Sequence, residues 1–594
     1  MELYTQENLG VIGEAEVKGF MEALLRCKAG KSRTDARIIA SENWWKLRSD
    51  REPAPGGFRA TSGWLHNVIV SKHADAVEAY PQAGILPREA TDRGEAELLG
   101  AVVPCILERN RFEATYSRHA WQKLKTGTGV YKVVWDARLM EGRGDIRVEQ
   151  VDLLNLYWEP GVTDIQKSRW FFHTELWDGA LLEEAYPFLK GKLTTSSFRS
   201  ARYVYDDSVS TDGKFTVVEV YYRKAGKLHY CRFVENHVLF ATENEPQFAQ
   251  RGLYDHGLYP FVFDPLFPIE GSPCGYGYVD LCRNPQTAID LLMSAFVENA
   301  AQGAKPRYFT RRDGNVNRDQ FLDARESLVE VAGNVDEASI RRIDHASLDG
   351  MYVGVYDRLV AELRETSGNT ETSTGNVSAG VTAASAIAAL QEAAGKGSRD
   401  ATRSAYRAFS QVVELIIELI RQFYELPRSF RIAGPYGTQR YLQYTNWGLQ
   451  GEPGKKPLFD IRITAQKKNA YSSVAQNELA LQLFKLGFFE PSRAPQAIAC
   501  LEMMDFDGRD ELLQRIGTAA DREQKLRDYM GLAALLAEKT QPELAQRIRR
   551  ELETGAPPTP GGQATLSAGQ KEPSQVLSAR AKARQASQPE GGGA

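Results

Sequence analysis

Thr366-Ser-Gly-Asn-Thr-Glu-Thr-Ser-Thr-Gly-Asn-Val-Ser-Ala-Gly-Val-Thr-Ala-Ala-Ser-Ala386 is the stretch on which the reading of this chain turns. Fourteen of its twenty-one positions are Ser, Thr, Gly or Asn, Glu371 is its only charge, and it holds no proline. Loops longer than ~15 residues are uncommon inside compact bodies, and those that occur are usually functional or linkers. Both flanks of this one are helical in pattern. Before it, Leu348 to Arg364 carries Val353, Tyr356, Val360 and Leu363 on one face; after it, Ile387, Leu390, Tyr406, Phe409, Val413, Ile416, Ile420 and Phe423 continue to Glu425. A helix from 384 to 425 would extend about 60 Å at ~1.5 Å per residue, a spine rather than a core filler. Strong helices on either side, with Val377, Val381 and several alanines within, predict a mobile loop on a rigid base.

Working outward, a helix is predicted from Gly277 through Val279, Leu281, Ile289, Leu292, Phe296 and Val297. Between it and Leu348 lies an insert of mixed pattern. An extended run is expected at Arg307–Thr310, a short helix at Arg318–Arg325, and strands at Leu328–Val331 and Ser339–Ile343. From Lys305 to Asp344 it has eight basic and eight acidic side chains. Farther upstream, helices are predicted over Glu14–Lys28, Asn67–Ala79, Arg93–Arg109 and Ala114–Lys125. A hairpin of Val130–Trp135 with Ile146–Val151 follows, then β-rich runs at Trp170–Thr174, Phe215–Arg223, Leu228–Val234 and His237–Thr242. Downstream, strands are expected at Ser429–Ile432, Arg440–Thr445 and Phe459–Ala465, then a helical block from Ser472 to Glu553. The residues from Gly555 onward lack aromatics and are predicted to be disordered. The pattern is that of an α+β protein.

Composition narrows the function. With 594 residues, 42% hydrophobic and 25% charged, the chain is globular rather than fibrous or wholly disordered. No run of eighteen uncharged apolar residues occurs, and Met1 to Gly10 lacks the features of a secretory signal. Six scattered cysteines without a CxxC pair fit a reducing cytosol better than a disulfide framework or a cysteine zinc site. The 73 basic and 77 acidic side chains leave a charge of −4, which counts against a tight phosphate-gripping DNA binder. It does not count against a protein that DNA passes through. Gly30-Lys31-Ser32 has Leu25 where a nucleotide-binding loop needs its first glycine, and no HExxH or GxSxG occurs. Asp136, Asp145 and Asp152 cluster around the predicted hairpin and could be imagined as metal ligands, but they read better as solvated turn and strand-edge residues. No catalytic, cofactor or metal site is expected, and no enzyme.

The order helix, charge-balanced insert, helix, small-polar loop, very long helix resembles the portal proteins of tailed bacteriophages, particularly the large podovirus- and siphovirus-like type. The resemblance spans roughly residues 40 to 530. It is carried by Trp44-Trp45-Lys46 with Trp64-Leu-His-Asn67-Val-Ile-Val, by Gly127-Thr-Gly129-Val-Tyr-Lys-Val-Val-Trp-Asp136 and by Tyr157-Trp-Glu-Pro-Gly161. Most specific are Glu365-Thr-Ser-Gly368-Asn, the polar loop, and Ser385-Ala-Ile-Ala-Ala-Leu-Gln-Glu392.

The resemblance implies a wing at 1–272, a first stem helix within 273–302, a clip at 303–347 and a second stem helix at 348–368. A tunnel loop at 369–383, a long wing helix at 384–425, wing strands at 426–470, a helical crown at 471–555 and a tail at 556–594 complete the portal fold. It implies a dodecameric homo-oligomer at one capsid vertex in the virion, built in the host cytoplasm. The ring is then the head-to-tail connector for DNA packaging and DNA ejection. Glu371, Thr372, Ser373, Thr374, Asn376 and Ser378 would face double-stranded DNA in the channel. Arg311, Arg312, Asp313 and Arg318 of the clip would meet the terminase large subunit and later the head-completion, adaptor or tail proteins. Major capsid and scaffolding proteins are further implied partners; a cofactor or membrane is not. A pore loop of hydroxyls, amides and one acid offers DNA weak, exchangeable contacts, and repulsion by Glu371 is screened over about 8–10 Å. Two rival readings are a capsid or tail structural protein without a DNA channel, and a metal-dependent nuclease or hydrolase using Asp136 and Asp145.

Overall fold

Phe409, Val412, Val413, Ile416, Leu419 and Ile420 recur at three- and four-residue spacing and are all fully or almost fully buried. They form one face of a helix, Lys396–Phe423, that packs against five strands of the chain's main body. Each such side chain contributes about 1.5–3 kcal/mol on burial, which is enough to make this helix the organising surface of the main core.

The computed structural model describes residues 12–48, 59–194, 198–203, 213–304, 307–310, 317, 319–320, 340–343, 349–369, 396–433, 439–451, 456–465, 482–487, 494–502, 509–538 and 541–554. The chain divides into two units, 1–468 and 469–594.

The first unit opens with helices α1 (Glu14–Trp45) and α2 (Trp64–Glu78), strand β1 (Pro81–Pro87), and helices α3 (Arg93–Arg109) and α4 (Phe112–Thr126). Strands β2 (Thr128–Asp136) and β3 (Asp145–Gln150) form the expected hairpin, Tyr131 opposite Gln150. With β9 (Phe261–Pro265) they make an antiparallel sheet ordered β3-β2-β9. A second antiparallel sheet runs in chain order through β4 (Leu156–Trp158), β5 (Trp170–Asp178), β6 (Lys214–Lys224), β7 (Lys227–Val234) and β8 (His237–Ala241). Short helices α5 (Gly179–Ala185) and α6 (Pro246–Ala249) flank it, and β10 (Phe267–Pro268) pairs with β11 (Gly275–Tyr276).

Helix α7 (Tyr278–Ala304) leads to β12 (Arg307–Thr310), whose antiparallel partner β13 (Ile340–Ile343) leads into α8 (Gly350–Ser367). The organising helix is then α9 (Lys396–Phe423). It is followed by the hairpin β14 (Arg428–Ala433) and β15 (Gln439–Tyr444), short helix α10 (Trp447–Gln450) and β16 (Phe459–Ala465). In the second unit, α11 (Ala494–Glu502), α12 (Arg509–Ala537) and α13 (Pro542–Thr554) pack in succession.

Several elements differ from the sequence reading. Helix α1 runs seventeen residues past the expected Lys28, to Trp45. Its later part is largely polar in composition, and its buried face mixes Lys31, Asp35 and Ser41 with Ile38 and Trp44. Strand β1 was not legible: Pro81, Gly84 and Pro87 argue against a strand, yet it pairs with β16 from Pro81–Ala465 to Pro87–Phe459. Prolines at both ends are tolerated because β1 has one partner only and keeps an edge without ladder bonds. Strands β4 and β9 were also missed, the first for shortness. Of the long helix expected from 384 to 425, the described part is Lys396–Phe423, and residues 384–395 lie outside the described residues. So do the strand expected at Leu328–Val331 and the tail from Gly555.

Two glycines in Gly127-Thr-Gly129 explain that motif physically. Gly127 ends α4 with φ +88°, and a Cβ there would come within 2.3 Å of the Tyr276 backbone. A Cβ on Gly129 would fall 2.3 Å from the His119 ring. The motif lets α4, β2 and β11 converge just where α7 begins.

A fully buried ion cluster joins the two sheets. Lys132 of β2 places its Nζ 2.8 Å from Glu219 Oε2 of β6 and 3.2 Å from His173 Nδ1 of β5. Burial alone would lower the Lys132 ammonium, but Glu219, Glu149 and Glu175 outweigh it and leave Lys132 above its ordinary value. Burial raises Glu219, yet Lys132, His173 and Arg232 together hold it well below the ordinary carboxylate range. Replacing Lys132 with Met strands a buried carboxylate and is expected to cost about 3–5 kcal/mol. Urea denaturation of Lys132→Met and of the double variant with Glu219→Leu checks this, the double variant recovering part of the loss.

Candidate functional site

The elements that can place side chains for a channel or docking role are α7, the β12–β13 pair, α8, and the points where residues 370–395 leave and re-enter the described chain. Helix α7 is seated by α1 and by the residues leading into α2. Arg37 Nη1 of α1 donates to Asp280 Oδ2 at 2.6 Å, and its Nη2 donates to the Gly275 carbonyl at 2.9 Å. One turn and more along, Gln286 Oε1 accepts from the Leu65 amide, and Asp290 Oδ1 accepts from the amide and hydroxyl of Ser62. These acceptors satisfy amides at the start of α2 that have no partner inside the helix.

Helix α8 pairs with α7 through Phe296 and Tyr356 and buries Val360 and Leu363. The two helices also expose Leu291, Met351, Val353 and Val355. Met351 is 65% exposed, a solvent-facing apolar density unusual for a helix that has found all its partners.

The end of α8 is sharply defined. Gly368 takes φ +65°, ψ 21°, and the Asn369 amide donates back to the Arg364 carbonyl at 3.0 Å, a glycine-terminated cap. Arg364 lies over the Trp64 ring at 5.0 Å. Lys72 of α2 donates to the Gly368 carbonyl at 3.3 Å and to Ser398 Oγ of α9 at 3.0 Å. Ser398 Oγ in turn donates to Asp75 Oδ2 at 2.8 Å, and Ser71 Oγ donates to Asn369 Oδ1 at 3.2 Å.

One turn farther into α9, Lys123 Nζ of α4 lies 2.7 Å from Asp264 Oδ1 of β9 and donates to the Ala401 carbonyl at 3.3 Å. Ser404 Oγ donates to the same Asp264 oxygen at 2.9 Å. His119 is enclosed beside them, stacked on Tyr131 at 3.9 Å.

Of the residues singled out from sequence, Glu371, Thr372, Ser373, Thr374, Asn376, Ser378, Arg311, Arg312, Asp313 and Arg318 all lie outside the described residues. The aspartates of the hairpin require a correction. Asp145 is buried rather than solvated: Tyr424 Oη donates to it at 2.6 Å and Arg109 pairs with it at 3.3 Å. Asp136 pairs with Arg147. Asp152 caps the turn at Leu153–Asn155 and accepts from Tyr203 Oη at 3.0 Å. Arginines and hydroxyls thus take up these carboxylates. Among the described residues, His173, Glu175 and Glu219 have ligand atoms close enough for a metal, but the Lys132 ammonium already fills the position of a cation there.

Lys72, Asp75 and Ser398 were not read from the sequence. Their only local signal is that Ser71, Lys72 and Asp75 share one side of α2, and nothing in that spacing names partners about 300 residues away.

Architecture and site describe an α+β protein whose paired helices α7 and α8 and long helix α9 are braced by its N-terminal helices. The chain matches the family model described as Phage P22-like portal protein over residues 75–588 of its 594, and it belongs to that family. It is a phage portal protein, a structural component of the virion at the head-to-tail connection. No curated protein matches the chain. No helix of the described residues is long and apolar enough to cross a membrane.

Burial pushes His119 down to about 4, from an ordinary value of 6.5. The unfolded chain therefore binds more protons than the folded one between those values. The contribution of His119 to stability is complete above about pH 6.5 and is lost as pH falls toward 4. His256, also held at about 4 by burial, adds a loss of the same sign. Denaturation midpoints at pH 7 and pH 4.5 should show the fall, and His119→Gln should reduce it.

Proposed function

We propose that twelve copies of this chain form the ring at one capsid vertex, with a central channel through which DNA is packaged and later ejected. Helices α7 and α8 serve as the stem, assigned to 273–302 and 348–368, and residues 303–347 as the clip outside the head, α7 running two residues into it. The clip docks the terminase large subunit during packaging, then head-completion, adaptor or tail proteins, through a surface that includes Arg311, Arg312, Asp313 and Arg318. Residues 369–383 are the tunnel loop, 384–425 the long wing helix, 1–272 and 426–470 the rest of the wing, and 471–555 the crown. Assembly takes place in the host cytoplasm with the major capsid and scaffolding proteins. ATP hydrolysis belongs to the motor.

The observation that carries this reading is the family match over residues 75–588. The described geometry supports it: α7 and α8 form one excursion closed by the β12–β13 pair, and the chain between Asn369 and Lys396 leaves and returns at one place on α2. The exposed apolar side chains of α7 and α8 are consistent with a helix pair that is completed only beside another subunit.

Equal numbers of acids and bases in the clip suit a surface that engages partners in turn, since complementary charge sets orientation and encounter rate more than affinity. The near-zero net charge suits a conduit. A densely basic lining would hold DNA phosphate by phosphate, with each contact adding to affinity.

Mass measurement of the purified assembly tests the ring. Twelve copies of the 66.3 kDa chain correspond to about 0.8 MDa, and a monomer or dimer under assembly conditions refutes it. Deletion of residues 372–378 is expected to leave the ring intact and to impair DNA packaging or retention. Particles of that variant that fill and hold DNA normally would remove the tunnel-loop assignment.

A further inference from the structure

Both ends of the segment 370–395 are held by one turn of one helix. The two atoms that mark the ends, the Gly368 carbonyl oxygen and Ser398 Oγ, lie within 3.3 Å and 3.0 Å of the same ammonium, Lys72 Nζ. Lysine is almost never fully buried unless paired, and Lys72 is only 5% exposed. Its charge is balanced indirectly. The Ser398 hydroxyl accepts from Lys72 and donates to Asp75, so one hydroxyl relays between ammonium and carboxylate.

The first contact is electrostatically specific. Gly368 terminates α8, and the last carbonyls of a helix lack partners within it and carry the negative end of its dipole. A cation set against that end is stabilised there in a way that a neutral side chain of the same length is not. What the glycine supplies is the left-handed turn itself. It holds a positive φ, which strains any other L residue there, while a Cβ on it would meet Lys72 Nζ only at an ordinary 3.8 Å. Ser71 adds its hydrogen bond to Asn369, so residues 71, 72 and 75 engage 368, 369 and 398.

We infer that α2 is a clasp, with Lys72 its positioning residue, that fixes the separation of the C-terminal end of α8 and the start of the described part of α9. The clasp itself stands on these contacts alone. Its bearing on DNA rests on the proposed tunnel-loop role of the intervening residues. In a ring, the same lysine in every copy would set where each segment departs toward the axis, and α2 would tie that position to the wing.

The test is hydrogen exchange followed by mass spectrometry on the full-length assembled protein, comparing wild type with Lys72→Met. Peptides covering 362–369 and 396–404 are expected to exchange about tenfold faster or more, while those of β5 to β7 stay at wild-type rates. Lys72→Arg, which keeps the cation, should restore most of the protection. Wild-type rates in both end peptides overturn the clasp. A uniform rise that includes β5 to β7 also overturns it, because Lys72 would then support only the fold. If Lys72→Met does not accumulate as folded protein, Ser398→Ala removes the relay alone. That variant should still speed exchange at 396–404, and unchanged rates there count against the clasp in the same way. Particles carrying Lys72→Met separate the two claims. Loosened ends with impaired DNA packaging or retention support both; loosened ends with normal packaging and retention leave the clasp standing and remove the tunnel-loop reading.

Discussion

The apolar face of α9, from Phe409 to Ile420, is the surface against which the main core assembles. Strands β2, β9 and β16 all pack on it, and the Phe112 ring of α4 lies tilted against Phe409 at 5.3 Å. These strands come from positions as far apart as residues 128 and 465, so the helix brings distant parts of the first unit together. Burial of a continuous stripe does not care about sequence separation. It therefore allows the chain to make its long excursion through α7, the β12–β13 pair and α8, and still close one core. That property suits the proposed ring, in which the parts assigned to DNA and partner contact are insertions into a fixed body.

Polar groups inside this body are organised around the same helix. Lys123, Asp264 and Ser404 bind α4 and β9 to its first turns, and Lys72, Asp75 and Ser398 bind α2 to it one to two turns earlier. Arg421 near its other end donates to the Pro457 carbonyl at 2.8 Å, which leads into β16. Buried charges of this kind are costly unless paired, and where they are paired they define one arrangement more sharply than apolar contact does. The stripe supplies cohesion, while the ion pairs and hydrogen bonds set the position of the helix along its axis.

Charge balance acquires a different meaning in this setting. Taken alone, a net charge of −4 speaks against a DNA protein. In a portal it accords with a conduit, because many of the basic groups are committed within the fold. Lys31, Lys72, Lys123 and Lys132 are all buried and partnered, and Arg37 and Arg109 are paired with aspartates. The count of lysines and arginines therefore overstates what is free to meet phosphate.

Much of the secondary structure was legible because it rests on local periodicity. Arg93–Arg109 and Phe459–Ala465 have the bounds that their apolar spacing predicts, and the hairpin of β2 with β3 follows from two β-rich runs about a Gly-rich turn. The order of helix, insert, helix, polar segment and long helix was likewise written in composition, and it was enough to point to the portal family. What failed was whatever depends on a distant partner. Strand β1 violates local propensity and exists because β16 pairs with it. The second half of α1 interleaves buried Lys31 and Asp35 with Ile38 and Trp44, so its buried face does not read as an apolar stripe. Asp145 looked like a turn residue and is a buried acceptor, because Tyr424 and Arg109 arrive from other elements. The clasp at Lys72 joins residues about 300 positions apart. The sequence by itself determined most of the elements and their order, since these follow from nearest-neighbour sterics and the spacing of apolar side chains. The tertiary structure alone decided which charges are buried, what they hold together and where the two ends of the polar segment lie, because those outcomes depend on contacts that one-dimensional spacing does not encode.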